Sequence, residues 1–236
     1  MKNLFGEIVM KKKLMSKGIP KYLNLYRELY GDEIYLRASS LNKESNFSPS
    51  KTSDNDLHEY LESIKDCIKC QLSKTRNNIV LGSGNPNAEI VFLDMSPGKN
   101  EDLQGLPLVG ESGKLLDKML LSINLNRDSV YMVNVIKCNL PESRNPLPLE
   151  IEECEPYLKK QLKIIKPKLI VSLGKDSANI VLNKKAALSE LRKNIFNYEG
   201  IDFLVTYHPK ALIENQNFKK SAWEDFKLIR DKYIYD

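Results

Sequence analysis

Cysteine and histidine are scarce in this 236-residue chain, which has four of the first and two of the second. It also lacks any apolar run of the length a bilayer crossing needs, so a membrane role has no support in the sequence. The lysine run Lys11, Lys12 and Lys13 is followed by no continuous apolar stretch and no small-residue cleavage site, unlike a secretory leader. The thiols are therefore expected to stay reduced in the cytoplasm, which argues against a disulfide framework. No self-similarity recurs at solenoid periods, so a stacked-repeat architecture is not expected either.

What is present points to a globular domain. With 42% hydrophobic and 28% charged residues the chain can bury a sizeable core, most simply as one domain with an appendage. Its net charge of +5, from 36 basic against 31 acidic side chains, suits a polyanionic partner and equally suits a solvated lysine surface. The cysteines fall into two pairs, Cys67-x2-Cys70 and Cys138-x15-Cys154. Four thiolates with no histidine cluster beside them suit zinc or an iron-sulfur cluster, and spacing alone does not separate the two.

The chain divides by composition. Tyr22, Leu23, Tyr26, Leu29 and Tyr30 recur at spacings of three and four, which predicts an amphipathic helix over 19–36. The stretch that follows is rich in Ser, Asn, Lys and Asp and has little to bury. This gives a helical extension over 1–38, a flexible linker over 39–55 and a compact domain over 56–236. Within the domain, strands are expected over 89–95, 129–136, 168–173 and 202–206. They alternate with helices over 57–68, 110–123, 149–165, 176–182 and 219–233. Near-continuous apolar strands separated by helices predict an α/β fold, a three-layer αβα sandwich with a central four-stranded parallel sheet.

In that architecture ligands bind at the carboxyl ends of the strands, so the residues after each strand become the candidates. They are Ser96-Pro97-Gly98 with Glu101 and Asp102, then Asn134 with Lys137-Cys138, then Gly174-Lys175, then Tyr207-His208-Pro209. A histidine fixed at a strand end by a following proline can donate a hydrogen bond to a developing anion. His58, on the early helix, reads as surface.

Taken together these segments resemble the type-4 uracil-DNA glycosylases, the iron-sulfur branch of the uracil-DNA glycosylase superfamily. The carriers are Cys67-Ile68-Lys69-Cys70, Gly82-Ser83-Gly84-Asn85-Pro86, Pro97-Gly98-Lys99-Asn100-Glu101-Asp102, Gly105-Leu106-Pro107-Leu108-Val109-Gly110, Asn134-Val135-Ile136-Lys137-Cys138, Cys154 and Tyr207-His208-Pro209. The resemblance implies that Cys67, Cys70, Cys138 and Cys154 hold a structural [4Fe-4S] cluster. It also implies a pocket for a flipped uracil lined by Met95, Ser96, Pro97, Gly98, Leu108, Asn134 and His208. Asn134 would read the uracil edge, His208 would donate to uracil O2 and Glu101 would orient water or support the pocket. Lys69, Lys74, Arg76 and Arg144 are candidate phosphate contacts. The implied partner is uracil-containing DNA, approached by a monomer, with the N-terminal helix available to a replication or repair protein.

Three positions depart from the family pattern. Where the family commonly has Gly-Glu-Ala-Pro-Gly, this chain has Asp94-Met95-Ser96-Pro97-Gly98, so the glutamate is replaced by an apolar residue and a carboxylate appears one place earlier. Leu108 stands where the family usually has a stacking phenylalanine, which predicts weaker uracil binding or altered base choice. The alternatives are a DNA-binding relative with changed or lost catalysis, and an interaction module attached to replication proteins.

Overall fold

The computed structural model describes residues 51–235 apart from Lys193. The helical extension expected over 1–38 and the linker up to residue 50 lie outside the described residues. Residues 51–55, the last of the expected linker, are helical and open helix α1, Lys51–Ile64.

Four parallel strands form the centre of the sheet: β2 Ile90–Asp94, β3 Tyr131–Asn134, β4 Leu169–Leu173 and β6 Ile201–Thr206. These are the four the apolar runs predicted. Two short strands extend them, β1 Ser83–Gly84 against β3 and β5 Phe196–Tyr198 against β6, both antiparallel, giving the order β1-β3-β2-β4-β6-β5. The edge strands escaped the sequence reading because two or three residues carry no periodicity.

Alternation along each strand sends side chains to two separate cores. Val91 and Leu93 of β2 and Tyr131 and Val133 of β3 face one layer, which holds α1, α4 Pro148–Ile165, α5 Lys175–Val181 and α6 Leu188–Leu191. Ile90, Phe92 and Met132 face the other, which holds α3 Gly110–Leu121, α7 Pro209–Glu214 and α8 Lys219–Tyr233. Phe92 and Phe226 stack across this second layer with ring centroids 6.1 Å apart. The remaining helix, α2 Lys99–Gln104, follows β2. Among the described residues no helix is long and apolar enough to cross a membrane.

Candidate active site

Parallel pairing sets Asp94 opposite Asn134 at the carboxyl ends of β2 and β3. By strand alternation both belong to the face of Phe92 and Met132. Asn134 is 1% exposed, and its Nδ2 has no hydrogen-bond partner among the described residues. Leaving a buried donor unpaired costs about 1–3 kcal/mol, which a ligand accepting from it would recover.

His208 reaches the same edge from the end of β6. It forms the N-cap of α7, with Pro209 at the first helical position, and its Nδ1 accepts the Lys210 backbone N–H at 3.1 Å. Its Nε2 lies 3.3 Å from Asp94 Oδ2. Burial pulls the imidazole pKa down, but the charge of Asp94 and its hydrogen bond more than offset this, so the net shift is upward. Glu101 adds to the upward pull, which places its carboxylate in the same electrostatic neighbourhood.

Glu101 sits in the first turn of α2 and its Oε1 accepts the Val109 N–H at 3.1 Å. Its other oxygen lies close over Gly98, where an added Cβ would stand 2.7 Å from Oε2 and displace the carboxylate. One carboxylate thus joins the loop of Pro97-Gly98 to the loop of Leu108-Val109. Asn139 Nδ2 donates to the Pro97 carbonyl at 2.8 Å and fixes the first loop from the β3 side.

The other expected pocket residues divide. Met95 turns away from Asp94 and packs against the opposite core, its backbone carbonyl accepting from Ile136 at 2.9 Å. Ser96 is half-buried, Pro97 buried and Gly98 exposed. Leu108 is 3% exposed within the core of Phe92, Leu116 and Met119, with a left-handed φ of 50°. Arg127 Nη2 holds its carbonyl at 2.5 Å. Gly113 makes that loop possible, because a Cβ there would stand 1.9 Å from the Leu108 oxygen.

All four cysteines are free thiols, Cys138 and Cys154 buried and Cys67 and Cys70 partly so. Arg76 Nη1 donates to Cys138 Sγ at 3.2 Å, and Tyr157 Oη donates to Cys67 Sγ at 3.1 Å. Burial raises the Cys138 thiol, and Cys70 and Cys67 add to the rise. Burial pushes Cys154 up to about 11, with Cys138 and Cys70 adding to it. Cys138 thus lies within electrostatic reach of Cys67 and Cys70, and Cys154 within reach of Cys138 and Cys70, across three chain segments. Among the described residues no three His, Cys, Asp or Glu side chains converge closely enough to hold a metal ion.

The candidate phosphate contacts are mostly engaged within the chain. Arg76 bonds Cys138 and the Cys67 carbonyl, and Arg144 pairs with Glu150 at 2.6 and 2.8 Å. Lys69 lies 3.8 Å from Glu153 and over the Tyr157 ring, whereas Lys74 is exposed.

Three further residues shape the site: Lys137 and Asp102, placed by the sequence only among the strand-end candidates, and Gln161, which it did not single out. Lys137 is wholly buried and donates to the Asn134 carbonyl at 2.7 Å and to Gln161 Oε1 at 2.6 Å. Gln161 in turn donates to the Leu81 carbonyl at 2.5 Å. Burial pulls Lys137 down to about 7, against the push of Cys154 and Cys138. Asp102, 4% exposed, accepts the backbone N–H groups of Asn77 at 3.0 Å and Asn78 at 3.2 Å. Their strand-end positions were legible, but the burial of the lysine and of the aspartate gives no local sequence signal.

The profile of the uracil DNA glycosylase superfamily matches residues 81–227, a span that contains Asp94, Glu101, Asn134 and His208. The chain belongs to the uracil-DNA glycosylase superfamily. Within this superfamily it is 40% identical to a type-4 uracil-DNA glycosylase of Archaeoglobus fulgidus, over 73% of this chain and 91% of that one. It is 41% identical to the type-4 enzyme of Sulfurisphaera tokodaii, over 75% and 85% of the two chains. A DNA polymerase of Bacillus phage SP01 carries a stretch 27% identical, covering 63% of this chain and 16% of the polymerase.

Proposed function

We propose that this chain hydrolyses the N-glycosidic bond of uracil in DNA and so starts base excision repair. The observation that supports this most is the buried, unpartnered Nδ2 of Asn134, whose strand neighbour Asp94 contacts His208 at the carboxyl edge of the sheet. An amide offers a donor and an acceptor together, which matches the uracil edge, whereas the amino group of cytosine would leave a clash of donors. Bringing the base out of the stack costs on the order of a few kcal/mol, which contacts in the pocket must offset.

As the glycosidic bond breaks, negative charge gathers on the uracil carbonyl oxygen. His208, carrying its proton on Nε2, donates to that oxygen, and an aimed donor of this kind is worth about 3–4 kcal/mol in a dry site. Glu101, tied to the Val109 amide by one oxygen, keeps the other for a water or for the pocket wall. Leu108 contributes apolar wall without a ring to stack on, and Ser96-Pro97-Gly98 closes the pocket from the β2 side.

The four thiols fit an iron-sulfur cluster by their donor chemistry: each is free, two are buried, and their charges interact across three segments. Four ligands around a multi-iron cluster stand further apart than ligands around a single ion. Cys67, Cys70, Cys138 and Cys154 would hold it, and it would supply structural bracing, since the hydrolysis moves no electrons. The domain would act as a monomer on uracil-containing DNA. The amphipathic helix expected over 19–36 would be the segment that contacts a replication or repair protein.

Alkaline scission of a uracil-containing oligonucleotide after incubation with excess protein tests the reading. Strand breaks at the uracil position are expected. No abasic product at enzyme excess would leave a DNA-binding relative without catalysis.

A further inference from the structure

Asp94 is unassigned in the reaction above, yet it is the acidic side chain bonded to His208. It stands where the family commonly has glycine, which could make no such contact. Two backbone amides define the pair. The Met95 N–H donates to Asp94 Oδ1 at 2.7 Å and fixes the carboxylate, leaving Oδ2 facing His208 Nε2 at 3.3 Å. On the far side of the ring, the Lys210 N–H donates to Nδ1 at 3.1 Å. A nitrogen that accepts a hydrogen bond carries no proton, so the proton of the neutral imidazole sits on Nε2, toward Asp94. Both side chains keep limited access to solvent, 26% for His208 and 17% for Asp94.

We propose that Asp94 is the positioning residue for His208: its carboxylate keeps the proton on Nε2 and aims that N–H at the pocket edge beside Asn134. The inference rests on the glycosylase reading for its consequence, though the pairing itself is a property of the free protein. When the base enters, its carbonyl oxygen takes over or shares the Nε2–H, and the carboxylate opposes rotation of the ring. No proton need leave the imidazole, so the step requires no further reactant.

Three charged groups bear on the ring: Asp94 from β2, Glu101 from α2 and Lys210 from its own helix. The two carboxylates favour the imidazolium and the lysine opposes it. Neutralising Asp94 therefore lowers the pH at which His208 protonates, whereas loosened packing alone would raise it by easing the desolvation of the ring.

With only two histidines in the chain, the experiment is direct. Imidazole nitrogen NMR of the full-length protein, with His58→Gln to assign the signals, follows His208 through a pH titration in the parent, Asp94→Asn and Asp94→Gly. The parent should show the Nε2–H tautomer and titrate above the ordinary histidine range. Both variants should titrate lower. Single-turnover uracil release should slow by about ten- to hundredfold, the range expected when a reacting group is misaimed. The limb of the rate profile set by His208 should move to lower pH. A parent in the other tautomer, or titrating at or below the ordinary range, would overturn the proposal even if neither variant folds. So would an unchanged His208 titration in the variants. A parent that titrates as expected yet releases no uracil would remove the glycosylase reading and leave the pairing standing.

Discussion

Lys137 donates its ammonium to the backbone carbonyl of Asn134 at 2.7 Å from a position with no exposure to water. The same ammonium reaches Gln161, so a single side chain ties the end of β3 to α4. Asn134 is held from behind by its own backbone while its amide remains free in front. Replacing Lys137 by methionine keeps the volume and removes the donor. The Asn134 carbonyl and the Gln161 oxygen are then left bare, at a cost of about 1–3 kcal/mol in denaturant unfolding. Uracil release should slow as well, because the pocket amide loses its anchor.

Gly113 sits in α3, where alanine would ordinarily favour the helix by about 1 kcal/mol. Here the sign reverses. The new Cβ would meet the Leu108 oxygen at 1.9 Å and crowd Arg127 at 3.0 Å. Gly113→Ala should destabilise the fold by about 1–3 kcal/mol, as overpacking does, with thermal melting as the measurement. Leu108 cannot move away freely, because Arg127 holds its carbonyl.

Acid sensitivity should be traceable to Glu150. The Arg144 guanidinium bonded to its carboxylate lowers its pKa, against the pull of burial and with help from the Leu147 amide. A carboxylate with a depressed folded pKa contributes stability that is present above the unfolded value of about 4.3 and is lost as pH falls through the folded value. The melting temperature of the parent should therefore drop in that window. Glu150→Gln should begin lower at neutral pH and show a shallower fall, and identical pH curves would refute the assignment.

The thiol site makes a visible prediction. Freshly purified protein should be brown, with broad visible absorption and about four irons per chain. A colourless protein carrying zinc would contradict it. Arg76→Leu, which removes the N–H directed at Cys138, should bleach faster in air than the parent, followed by absorbance.

The four central strands were readable because their apolar runs are long enough to declare themselves: Ile90 to Leu93 and Leu169 to Leu173 leave little room for another reading. Alternation also separated Asp94 from Met95 onto opposite faces. What it could not say is which face bears the pocket, because that depends on where β6 delivers His208, 114 residues further on. Lys137 was placed at the strand end, but its burial was not foreseen. Its immediate neighbours in sequence gave no hint that Gln161, 24 residues away, would satisfy it in the core. Leu108 was expected at the pocket wall, and its left-handed backbone and deep burial come from Arg127 and Gly113, which no local pattern joins to it.

Asp102 binds the amides of Asn77 and Asn78, the residues that directly follow Arg76, while its neighbour Glu101 serves the pocket. The segment that follows Cys70 and the loop that ends at Val109 are thus tied through two neighbouring carboxylates of one helix. On the proposed reading, loss of the cluster would loosen more than the thiol segment, because the strain would pass through Asp102 to the helix that carries Glu101.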